Sequence, residues 1–157
     1  MTTMEMATPT TTDRIEKRRV LRAPPARVWR AISNAREFGT WFGVELGGEF
    51  APGQTVHGKV TYQGKDVTFA FHIERMEPER LLSFRWHPFA VDPAIDYARE
   101  PTTLVELAIT PAPEGTLLTV TESGFDQIPL SRRAKAFAMN DGGWAEQMQN
   151  IARHVEG

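Results

Sequence analysis

The chain has 157 residues, 41% of them hydrophobic and 24% charged. That is enough for one domain with a substantial core and too little for two comfortable ones. A net charge of −2 and a complete lack of cysteine leave no electrostatic ground for a nucleic-acid partner and no thiolate, disulfide or cysteine metal site.

Residues 1–12 are rich in threonine and methionine and carry one charge, Glu5. Nothing there is periodic, so a disordered tail is expected, followed by one domain over residues 13–157. No secretory leader is evident and no apolar run approaches the roughly 18 residues of a membrane span, so a cytoplasmic location is expected. Ile15 to Leu21 reads as a charged edge strand. Pro24-Pro25 ends it, and Pro25 suits the first position of a helix, where its missing N–H would be unpaired anyway. Val28, Trp29 and Ile32 follow at helical spacing. Gly39 and Gly43 bracket Trp41-Phe42, which reads as a short second helix or an aromatic-bearing turn.

From Val44 to Glu122 the period is two. Val56, Val60 and Tyr62 share one strand face, and Val67, Phe69, Phe71 and Ile73 share the next. Gln63-Gly64-Lys65 is a hairpin turn between them. Glu77 to Arg80 turns the chain into Leu82, Phe84 and Trp86. A loop from Phe89 to Pro101 is long enough to suggest a lid. Val105, Leu107 and Ile109 precede a further turn into Leu118, Val120 and Glu122. After Pro129 the period becomes helical, with Leu130, Ala134, Phe137, Trp144, Met148, Ile151 and Val155 forming a stripe interrupted at Asp141. One helix covers seven strands only if the sheet curls around it, and a loosely curled sheet leaves a cavity.

Four segments carry a family resemblance: "APPARVWRAIS" at 23–33, "WFG" at 41–43, "GTLLTVTESGF" at 115–125 and "GGWAEQMQNIARHVE" at 142–156. In this order and spacing they resemble the START-like, or SRPBCC, superfamily. The nearest branch is the one named after the activator of the ninety-kilodalton heat-shock chaperone's ATPase. The resemblance implies an α+β helix-grip fold: a curved seven-stranded antiparallel sheet wrapped around a long C-terminal helix, with two short helices after the first strand. It spans carriers, cyclases and chaperone regulators, so it does not choose a function.

His57, His72 and His87 are evenly spaced, but a hairpin register putting Val56, Phe71 and Trp86 side by side sends His57 and His87 to the solvent face. Strand spacing then keeps them too far apart for one metal, so no metal and no cofactor are expected. Alternation points Glu122 inward, where burial disfavours its charge; a strand-end Glu pairing with an arginine or a turn is the plainer alternative. Asp141 either lines the cavity or, with Asn140, caps a helix that restarts at Gly142-Gly143. Gly143 would also let the helix approach the sheet beside Trp144. Arg132, Arg133 and Lys135 read as a solvated basic cluster.

The ligand-lining set is therefore Trp41, Phe69, Phe71, Trp86, Phe89, Glu122, Asp141, Trp144 and Met148, with Glu122 and Asp141 the weak catalytic candidates. Three functions remain open. A carrier of a hydrophobic or amphipathic small molecule leads. A cyclase- or hydrolase-type enzyme would use a cavity carboxylate. A chaperone-activator-like protein would act through an exposed apolar surface. Contact with a chaperone and pairing into a homodimer are the further partners to consider.

Overall fold

A computed structural model describes residues 12–92 and 94–157. The expected tail lies outside the described residues except for Thr12, whose hydroxyl donates to Asp126 Oδ1 at 2.7 Å.

Strand β1 (Arg14–Leu21) leads through α1 (Pro25–Ser33) and α2 (Ala35–Phe42) into β2 (Glu45–Leu46), β3 (Thr55–Tyr62), β4 (Lys65–Glu77) and β5 (Leu81–Trp86). After the long loop come β6 (Thr103–Ala112), β7 (Gly115–Ser123) and α3 (Leu130–Glu156). The seven strands form one antiparallel sheet in the order β1-β7-β6-β5-β4-β3-β2. Sequential hairpins give all of that order except β1, which returns to pair with β7. The two short helices carry the chain from one edge of the sheet to the other.

Pro25 does open α1. Asn34 then caps α2, its side-chain oxygen accepting the Glu37 N–H at 3.0 Å, which satisfies one of the helix's unpaired donors. Gly39 has no room for a side chain, because a Cβ there would lie 2.5 Å from the Val44 carbonyl oxygen. The β3–β4 hairpin turns on Gln63 and Gly64, both at positive φ, the geometry that suits the twist of a two-residue turn. Val56 lies opposite Phe71 as the alternation requires. Beyond Ile73 the β4–β5 register slips by one residue, so that Ile73 faces Phe84 but Arg75 faces Ser83. A bulge of this kind bends the strand and increases its twist. Nothing in the local composition announces it.

The inward faces are Phe71 and Ile73, Leu82, Phe84 and Trp86, Val105 and Leu107, and Leu118, Val120 and Glu122, all buried. Helix α3 lies against them. Its line of core contact differs from the expected stripe over the first half. The side chains turned inward are Ala136, Trp144, Met148, Ile151 and Ala152, with half-buried Asn140 between Ala136 and Trp144. Leu130 is 80% exposed. A spacing of four from Ala136 to Ala152 passes through position 140, so Asn140 fills the gap that the apolar stripe assigned to Asp141.

Asp141 faces outward, its carboxylate 3.0 Å from Lys17 Nζ on β1. It therefore neither lines a cavity nor caps a second helix: α3 is continuous from Leu130 to Glu156. Gly143 does not mediate close approach either. A Cβ built there would meet no heavy atom within 4 Å. No helix among the described residues is long and apolar enough to cross a membrane.

Candidate functional site

Glu122, near the end of β7, is the most deeply buried acid of the sheet, with no exposed surface. Both of its oxygens are engaged. Oε2 accepts from Trp86 Nε1 at 2.7 Å, Thr103 Oγ1 at 2.6 Å and Asn140 Nδ2 at 3.1 Å. Oε1 accepts from Trp144 Nε1 at 2.8 Å and Asn140 Nδ2 at 3.0 Å. Strands β5, β6 and β7 and helix α3 thus converge on one carboxylate. Burial pushes its titration above the ordinary value, and the hydrogen bonds from Thr103, Trp86, Trp144 and Asn140 work against that push.

Rings pack around this group. Phe42, Trp86 and Trp144 form a near-equilateral triangle, with centroid separations of 6.0, 5.8 and 5.9 Å. Phe71 lies 5.5 Å and Phe69 6.3 Å from Trp86, and Met148 is buried one turn beyond Trp144. Of the expected lining residues, Phe69, Phe71, Trp86, Glu122, Trp144 and Met148 are therefore gathered near one another. Trp41 is buried behind the cluster, packed on Phe38 and Phe42, and its N–H donates to the Ala31 carbonyl at 2.8 Å rather than to Glu122. Phe89 sits on the long loop against Tyr62, at 5.9 Å.

These rings occupy the space in which an internal cavity was expected. Two pockets on the outside are of note: about 790 Å³ beside α2 between Ser33 and Phe50, and a smaller one of about 280 Å³ along the first turns of α3, lined by Thr12, Leu130, Arg133, Ala134 and Phe137. Neither touches Glu122.

The loop after β5 is fastened over this region. Arg132, in the first turn of α3, donates from Nε to Glu100 Oε1 at 2.8 Å and from Nη1 to the Pro88 carbonyl at 2.6 Å. Its guanidinium lies 4.7 Å from the centre of the Tyr97 ring. The His87 ring is 3.0 Å from the Glu100 carbonyl. Arg132 is thus a largely buried strap rather than part of a solvated cluster. Thr103, where the loop rejoins the sheet, is itself a donor to Glu122. Among the described residues no three His, Asp or Glu side chains gather into a metal-binding group.

The family model for "Activator of Hsp90 ATPase homolog 1-like protein" matches residues 22–156. The chain belongs to that family. Every donor to Glu122 lies within the matched span, as does the Arg132 strap. The search of curated proteins returned no match. Among solved structures, the protein MLL2253 from Mesorhizobium loti is 22% identical, covers 91% of this chain and 96% of its own, and superposes with a TM-score of 0.72. DynU16, from the dynemicin biosynthetic locus, is 26% identical at a TM-score of 0.71; the match covers 92% of this chain and 47% of that one. The Aha1 dimer from Colwellia psychrerythraea is 14% identical, covers 91% and 96%, and has a TM-score of 0.68. At such identities the likeness is one of fold.

Glu122 has no lone pair free for proton transfer to a substrate while all four donors are in place. Chemistry at this carboxylate would require at least one donor to move. Asn140 and Thr103 were not legible as site residues. The first lay hidden one position from the expected stripe, and the second carried no signal beyond its place at the end of a loop.

Proposed function

We propose that the protein binds a hydrophobic or amphipathic small molecule between α3 and the sheet, at the ring cluster around Glu122, reached by movement of the strapped loop. The observation that carries the reading is the buried carboxylate with two indole N–H groups aimed at it. A solid core gains little from such a group, since burying an acid is unfavourable and apolar side chains of like volume pack at least as well. An apolar wall with a few convergent polar groups is the ordinary form of a small-molecule site. The family's fold supports the reading, since SRPBCC proteins commonly take hydrophobic ligands.

One observation favours a second reading. Leu130 stands exposed beside Ala134 and Phe137 in the outer pocket on α3, the kind of apolar face through which a chaperone-activator-like protein would meet its partner. One titration separates the two. Uncharged N-phenylnaphthylamine, whose fluorescence rises in apolar surroundings, is added to the wild type, Phe69→Ala and Leu130→Glu. The small-molecule reading expects saturable binding that weakens in Phe69→Ala and is unchanged in Leu130→Glu. Binding lost only in Leu130→Glu would place the probe on the outer face and favour the interaction reading.

A further inference from the structure

The unusual property of the Glu122 site is its charge balance. Its five hydrogen bonds come from two indoles, one amide and one hydroxyl, all neutral. Among the described residues no Lys, Arg or His forms an ion pair with it, whereas Glu37, Glu74, Glu77, Glu100 and Asp141 all have one. Dipoles satisfy the lone pairs but leave the net charge uncompensated, and that is where an arriving cation gains most.

Asn140 marks the way in. It is the one donor that is only half-buried, and it contacts both oxygens. Gly143 lies three residues further along α3, hence on the same helix face, and open space surrounds the position a side chain would take. Glu122 itself has no exposed surface, so a ligand group reaches it on this side only as the Asn140 side chain moves aside.

We infer that the ligand of this site carries a primary ammonium group on an apolar, aromatic-sized body, and that the ammonium pairs with Glu122 in the place now held by the Asn140 amide. The inference rests on the small-molecule reading above. A primary ammonium has three N–H donors to replace the two bonds from Asn140. A quaternary ammonium has none and would leave the oxygens short. A carboxylate ligand would be repelled, and an alcohol would bring one donor and no charge.

The test is displacement of N-phenylnaphthylamine by phenylbutylamine, phenylbutanol and phenylbutyrate, which share one apolar body. In the wild type at neutral pH the amine should displace the probe at a concentration about tenfold lower than the alcohol, as a charge-assisted bond implies. The acid should be weakest. Glu122→Gln should erase the difference between amine and alcohol. Asn140→Ala, which keeps the carboxylate and covers the case in which Glu122→Gln does not fold, should strengthen the amine severalfold and leave the alcohol unchanged. Equal displacement by amine and alcohol in the wild type overturns the inference and leaves the site reading standing. An amine preference that persists in Glu122→Gln also overturns it. Failure of the probe itself to bind saturably overturns both.

Discussion

Glu122 concentrates the polar chemistry of the interior, and its titration has a measurable consequence. Burial raises its folded-state pKa above the ordinary 4.5. Below that value folded and unfolded chains are both protonated and the group contributes no penalty. As pH rises through the folded pKa, the unfolded chain ionises freely while the folded one resists, and stability is lost. Urea denaturation of wild type and Glu122→Gln over a pH series should therefore show the balance moving toward the Gln variant as pH rises above 4.5. A gap that stays constant with pH would mean that the four donors fully offset burial. The inward direction of Glu122 was legible, because it continues the alternation of Leu118 and Val120. Its partners were not: two indoles from separate elements and an amide one residue off the apolar stripe meet only once the sheet has curved.

At the scale of elements, α3 was legible in extent but misread in rotation. Trp144, Met148 and Ile151 face the core as their spacing demands, whereas Leu130 and Ala134 repeat the same spacing on the outside. A helical period reports an apolar face without reporting what covers it. Because the space at Gly143 is open, Gly143→Ala should stabilise the protein by about 1 kcal/mol through helix propensity. A lower urea midpoint for that variant would show that something packs there after all.

The three helices are also tied together by one acid. Glu37 on α2 is 2.7 Å from Arg27 and 2.8 Å from Arg30 on α1, and 2.9 Å from His154 on α3. Burial opposes its ionisation, but hydrogen bonds from His154, Arg27 and Arg30 prevail and hold its carboxyl at about 2. A depressed pKa contributes stability above the unfolded value, and that contribution is lost as pH falls toward 2. Wild type should therefore lose its stability advantage over Glu37→Gln between about pH 4.5 and pH 2. An advantage that persists at the acid end would contradict this account of the cluster.

For the whole molecule, hairpin turns and alternating faces made the seven antiparallel strands readable, though not the return of β1 to pair with β7, and the need to cover seven strands with one long helix made the curvature of the sheet readable. The bulge at Ile73–Arg75 and the filling of the interior by Phe42, Trp86 and Trp144 were not, since both depend on how distant side chains share volume. The closed ring cluster and the strapped loop together mean that a ligand enters only if α3, the loop and the sheet part locally. Trp86 and Trp144 report that event, because their N–H groups are the ones held by Glu122, while the Trp41 N–H is held by Ala31. The decisive measurement is an indole N–H spectrum recorded during titration with N-phenylnaphthylamine, assigned with Trp86→Phe and Trp144→Phe. The account predicts that the Trp86 and Trp144 signals shift together and saturate while those of Trp29 and Trp41 stay in place. A saturating rise in probe fluorescence with both signals unmoved would put the ligand on the outer surface and contradict a site at Glu122.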